Sequence, residues 1–122
     1  MGYWYHPGIE ERTVGVFTNY HYDHPDANFR LEFDNGETYI CTYLTSYESG
    51  NWSELAELEI DEGDPRYDEL LDEFYEIGFL VTTVVKGGRR QPGPRQYLAI
   101  SYRDFPSRII DADTGQIIYP AV

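Results

Sequence analysis

Two imidazoles and two carboxylates fall within six residues at His21-Tyr22-Asp23-His24-Pro25-Asp26. With His6 they offer the nitrogen and oxygen donors that a transition metal takes. Ligands of a closed site must converge from several directions, and one short loop supplies only one. No second ligand cluster occurs in the chain. The segment therefore reads as a structural loop, and neither a metal nor another cofactor is expected. Cys41 is the single cysteine, so the fold does not depend on a disulfide. As a nucleophile it would need a neighbouring base and a lowered pKa; packing is the simpler reading. Asp111-Ala112-Asp113-Thr114-Gly115 begins like a calcium loop but lacks the third ligand and the bidentate glutamate, so it reads as a turn. Serine, histidine and aspartate are present without a nucleophile elbow. A non-enzymatic role is the favoured expectation.

Charge layout is the stronger signal. From Glu48 to Glu76 there are twelve acidic side chains and one basic one, Arg66. From Lys86 to Arg95 there are four basic side chains, Lys86, Arg89, Arg90 and Arg95, and no acidic one. The first stretch suits a basic partner. The second offers guanidinium forks to a carboxylate or phosphate, but it lacks the glycine spacing and Lys-Ser/Thr ending of a P-loop. The whole chain has nine basic and twenty-two acidic side chains, a net charge of −13. That field disfavours nucleic acid and anionic membrane and speeds encounter with cationic surfaces.

These residues need elements to hold them. Asp64-Pro65 opens a predicted helix over Pro65–Phe74, with aspartate as N-cap and proline at the first helical position. Tyr67, Leu70, Leu71 and Phe74 make its apolar stripe. Asp68, Glu69, Asp72, Glu73 and Glu76 fall on the other side. Three like-charge pairs one turn apart (68/72, 69/73, 72/76) each cost roughly 0.2–0.5 kcal/mol in an isolated helix. Glu73 and Glu76 also sit at the negative end of the dipole. A face kept acidic at that expense reads as a docking surface.

Strands are predicted at Arg12–Tyr20, Phe79–Lys86 and Gln96–Arg103, with a short hairpin pairing Arg108–Asp111 with Gln116–Tyr119. The segment over Ser46–Gly63 leans towards extended structure. The Phe29–Leu44 hairpin turns at Asn35-Gly36, a two-residue type I′ turn. In that register Phe29, Leu31 and Phe33 share a face with Thr38, Ile40, Thr42 and Leu44, and Tyr39, Cys41 and Tyr43 lie on the mixed face. Twelve Tyr, six Phe and two Trp suit half-buried sheet faces as well as interfaces.

The expected fold is α+β, one domain over residues 1–122. A twisted, mainly antiparallel sheet of about six strands packs against one main helix, with a small open barrel as the alternative. The expected function is that of an acidic binding protein for a basic protein partner, of the class that holds inhibitors and immunity-type proteins. Two other readings stand beside it: a small enzyme or ligand-binding domain with a pocket lined by Tyr39, Tyr43 and Tyr102, and a homo-oligomeric structural module. The N-terminus lacks the basic start and apolar run of a signal peptide, and no stretch is long enough to span a bilayer. A cytoplasmic location follows as the expectation.

Overall fold

Alternation of apolar and polar residues builds the sheet. A computed structural model describes residues 4–90, 92 and 95–121. Six strands, β1 (Asn28–Glu32), β2 (Thr38–Gly50), β3 (Glu73–Lys86), β4 (Tyr97–Ile100), β5 (Arg108–Asp111) and β6 (Ile117–Tyr119), form one antiparallel sheet. Their order is β4-β3-β2-β1-β5-β6, so the edges do not meet and the sheet is not a barrel. The α+β architecture is the expected one. Four helices accompany the sheet among the described residues: α1 (Ile9–Arg12), α2 (Val14–Asp23), α3 (Trp52–Glu57) and α4 (Tyr67–Leu70). None is long and apolar enough to cross a membrane.

The main helix is α2, where the sequence predicts a strand at Arg12–Tyr20. Thr13, Val14, Gly15 and Phe17 are buried while Thr18 and Asn19 are exposed, which is a helical and not an alternating pattern. Burial over the sheet overrides the strand preference of Thr13, Val14, Val16 and Thr18. Phe17 meets Phe29 and Phe79 edge to face, at centroid distances of 4.8 and 5.2 Å. Leu31, Cys41, Ile77, Val81, Ile100 and Ile109 complete the centre of the core.

The hairpin forms with a different register. Phe33 N donates to Glu37 O at 2.8 Å, so the loop is three residues, Asp34-Asn35-Gly36, with Gly36 at φ 94°. A three-residue loop closed by a left-handed glycine is the next commonest hairpin after the two-residue turns. Asn35 Oδ1 accepts from Glu37 N at 3.0 Å and holds the turn. Phe29 now faces Cys41, and Leu31 faces Tyr39. The one-residue slip turns β2 over. Tyr39 and Cys41 enter the core, Ile40 and Thr42 stay half-buried, and Leu44 is exposed. Burial pushes the Cys41 thiol pKa up, which removes it as a nucleophile.

The predicted helix over Pro65–Phe74 is one turn, Tyr67–Leu70. Leu71 is already extended (φ −65°, ψ 126°). Asn51 ends the helix: its Nδ2 donates to Leu70 O at 2.9 Å and its Oδ1 accepts from Asp72 N at 2.8 Å. Glu73 then starts β3, whose Ile77, Phe79 and Val81 are buried in alternation. Gly78 lies inside that strand. The extended reading of Ser46–Gly63 holds only to Gly50, after which α3 begins. Likewise the Gln96–Arg103 strand is confined to β4, followed by a 3-10 turn over Tyr102–Asp104. The last hairpin forms as expected. There Asp111 Oδ1 accepts from Asp113 N and Thr114 N at 2.9 and 3.2 Å, and Oδ2 accepts from Tyr20 OH at 2.5 Å.

One buried carboxylate ties the N-terminal segment to the sheet. Glu10, fully buried, accepts from His6 N and Tyr75 N, each at 2.8 Å. Glu10→Ala leaves two donors without acceptors and is expected to cost about 2–4 kcal/mol in urea denaturation. Glu10→Gln keeps one acceptor and should cost clearly less. Equal losses for the two would show that the packing of the side chain, not its oxygens, holds the segment.

Candidate functional site

The connection over residues 51–72 joins the ends of the long β2–β3 hairpin and carries most of the acidic tract. Its neck is closed by Asn51, whose N also donates to Asp72 O at 3.0 Å. The C-terminus of α3 is a Schellman motif: Ile60 N donates to Leu55 O at 2.9 Å and Glu59 N to Ala56 O at 3.0 Å. Glu59 occupies the left-handed position (φ 58°) usual for glycine. Leu55 and Ile60, which the motif brings next to each other in the backbone bonding, are both buried. Asp61 then opens a turn, accepting from Gly63 N at 2.9 Å. Asp64 is bridged by Arg66, Nη2 to Oδ2 at 2.8 Å, and the Arg66 side chain and amide hold its pKa down at about 2.

The five predicted acidic residues separate. Asp68 and Glu69 are exposed on α4, and no ion pair holds them among the described residues. Asp72 lies in the turn before β3 and is satisfied internally. His6 Nε2 approaches its Oδ1 at 2.5 Å, Tyr102 OH donates to Oδ2 at 3.0 Å, and Arg103 Nε stands 3.8 Å away. Glu73 and Glu76 belong to β3 instead of the helix. Glu76 neighbours Tyr47, whose phenol pKa is pushed up by burial, then by Tyr97 and Glu76. Glu73 adds to the rise that Glu48 causes in Tyr5, to about 12.

The basic loop also divides. Arg90 is internal, its side chain only 15% exposed. Its Nη1 meets Glu37 Oε2 at 2.8 Å, its N donates to Glu37 Oε1 at 3.0 Å, and Nη2 reaches Asp104. The guanidinium lies 3.7 Å from the Phe33 ring centroid. Lys86, Arg89 and Arg95 are exposed. Gln91, Gly93 and Pro94 of the loop lie outside the described residues. Arg103, which the sequence analysis did not single out, bridges Glu54 at 3.1 Å and covers the Phe74 ring.

The other candidates do not assemble. His6 belongs to Asp72, His21 packs on Tyr43 at 4.0 Å, and His24 stacks on Tyr20 at 4.0 Å. Among the described residues no three metal-binding side chains converge. Tyr39 is in the core bonded to Glu37, Tyr43 bonds Ser46, and Tyr102 bonds Asp72, so the three do not line one pocket.

What the arrangement leaves open is the outer surface of the 51–72 connection. Glu57, Glu59, Asp61, Glu62, Asp68 and Glu69 are exposed there, free of ion pairs among the described residues. Trp52, Leu58 and Leu70 are exposed beside them. An open cleft within the same surface is lined by Trp52, Ala56, Ile60 and Tyr67, with Glu59, Asp61 and Glu62 around it. Only the existence of the charge was legible in sequence; the cleft was not. Compared with protein-family models, curated proteins and solved structures, the chain matches none of the three.

Proposed function

We propose that this protein is a non-enzymatic binding protein that docks a basic protein partner on the acidic surface of its 51–72 connection. One observation carries the reading. Five arginines (Arg30, Arg66, Arg90, Arg103 and Arg108) bridge Glu32, Glu37, Glu54, Asp64, Asp72 and Asp104, and among the described residues no cation bridges the six neighbouring carboxylates beside exposed Trp52, Leu58 and Leu70. Charge speeds the encounter, and the apolar side chains set the lifetime of the complex. An inhibitor or immunity-type protein acts in this way, by covering a cationic surface of its target.

The test compares wild type with a variant carrying Glu57→Gln, Glu62→Gln, Asp68→Asn and Glu69→Gln. Wild type is expected to retain a basic chain at low salt, with an association rate that falls as salt rises. The neutralised variant should associate about tenfold or more slowly. Equal rates and equal salt dependence overturn the proposal.

A further inference from the structure

We propose that the cleft in the 51–72 connection seats one arginine side chain presented by the partner. This rests on the docking reading above and names the contact at its centre. The floor is apolar and aromatic, made by Trp52, Ala56, Ile60 and Tyr67. The rim is acidic, with Glu59, Asp61 and Glu62 and no basic side chain. An apolar ligand would leave that charge unanswered, and an anion would be repelled. A cation on an apolar stem answers both features. Its methylenes lie along Ala56 and Tyr67 while its head meets the rim.

The aromatic floor is fixed in advance. A Cβ at Gly50 would stand 2.8 Å from Trp52 Cε2 and 2.9 Å from Cζ2, so the indole rests on bare backbone. It is nevertheless 44% exposed. The rim is fixed as well. The two Schellman bonds hold the backbone at Glu59 and Ile60, and the Asp61 side chain is oriented by its bond from Gly63 N. A side chain that finds both partners in place loses little entropy in ordering them.

Arginine suits this site better than lysine. A planar guanidinium stacks on an indole and still directs N–H groups in its plane towards carboxylates. An ammonium holds its water more strongly and has no plane to stack.

The probe is a short capped peptide with one central arginine, set beside its lysine and citrulline counterparts, at low salt. The readout is the two indole N–H resonances of the full chain, which report Trp52 and Trp4 separately. The arginine peptide is expected to shift the Trp52 signal and not that of Trp4. Its lysine counterpart should bind about tenfold more weakly, and citrulline, which keeps the plane but not the charge, should show no binding. Trp52→Ala, followed by signals of the backbone, should lose at least about tenfold in affinity. Glu59→Gly should do the same while relieving the left-handed backbone, so its loss of binding cannot be charged to unfolding. Unchanged affinity in Trp52→Ala and Glu59→Gly overturns the cleft. If Asp68→Asn with Glu69→Gln still weakens the peptide, the docking surface stands without it. Equal affinity for the arginine and lysine peptides overturns the choice of arginine. Absence of binding by any of the peptides overturns the cleft as a seat, and the comparison of association rates between wild type and the neutralised variant then judges the docking reading on its own.

Discussion

Glu37→Ala is expected to destabilise the protein by about 3–5 kcal/mol, the cost of breaking a buried ion pair from one side. Glu37 is 1% exposed and accepts four bonds. Asn35 Nδ2 and Tyr39 OH each donate to it at 2.5 Å, Arg90 N at 3.0 Å and Arg90 Nη1 at 2.8 Å. Removing the carboxylate leaves the Tyr39 hydroxyl and the Arg90 amide unpaired. It also leaves a guanidinium whose remaining carboxylate, Asp104, is half in water. Such a loss is a large share of the stability of a small domain. Glu37→Leu with Arg90→Met removes both charges and should recover a substantial part of the loss. A double variant no more stable than Glu37→Ala would show that the two side chains act independently.

The same pair sets an acid limb. Burial pushes the Glu37 pKa up, but bonds from Asn35 and Tyr39, with the amide and charge of Arg90, outweigh it and bring the group from an ordinary 4.5 to about 2. The unfolded chain therefore takes up this proton first, and falling pH favours unfolding. The contribution of Glu37 is complete above about pH 4.5 and is lost as pH falls towards about 2. Tyr39 works at the other end. Burial and Glu37 push it from 10 to about 12, so stability is lost as pH rises between those values. In Glu37→Ala the acid limb should flatten. An unchanged slope of stability against pH below about 4.5 would remove Glu37 as its source.

Sequence and structure agree where local chemistry decides and part where distant residues decide. Asn35-Gly36 marks a turn whatever the loop length, so the hairpin was legible. Its register was not. The choice between a two-residue and a three-residue loop is bound up with the burial of Glu37, whose partner Arg90 comes 53 residues later. Asp64 opens a turn by accepting from Arg66 N at 2.8 Å, but it is not the predicted N-cap: the helix begins only at Tyr67, with Arg66 before it. The end of α4 is fixed by Asn51, on the other side of the neck. Acidic residues at 68 and 72 look alike in sequence. Only the arrival of His6 and Tyr102 shows that Asp72 is structural while Asp68 stays open to solvent. Arg89 and Arg90 are equally indistinguishable until Glu37 and Phe33 select one of them. The surface proposed for docking is therefore smaller than the charge tract: it lies on α3, α4 and the segment between them.

Phe17→Ala should cost about 3–5 kcal/mol, through lost burial and the cavity left between helix and sheet. In a chain of this size that lowers the melting temperature by roughly 10–25 °C. The ring is buried against Phe29 and Phe79, with Tyr43 and His21 at the margin of the same cluster. Phe29, Tyr43 and Phe79 are themselves held by β1, β2 and β3, and His21 lies on α2 one turn from Phe17. Phe17→Leu keeps most of the volume and should cost under about 1.5 kcal/mol. Thr18 is the control. It follows Phe17 directly but is exposed on the outer side of α2, where its hydroxyl only bonds back to Val14 O. Thr18→Ala should change stability by no more than about 0.5 kcal/mol. In a half-buried strand Val16 and Thr18 would share a face, and Val16→Ala and Thr18→Ala would fall together. In the helix Val16 packs against the core and Thr18 does not. Matched losses at 16 and 18, with a small loss at 17, would mean that this segment does not cover the sheet as a helix.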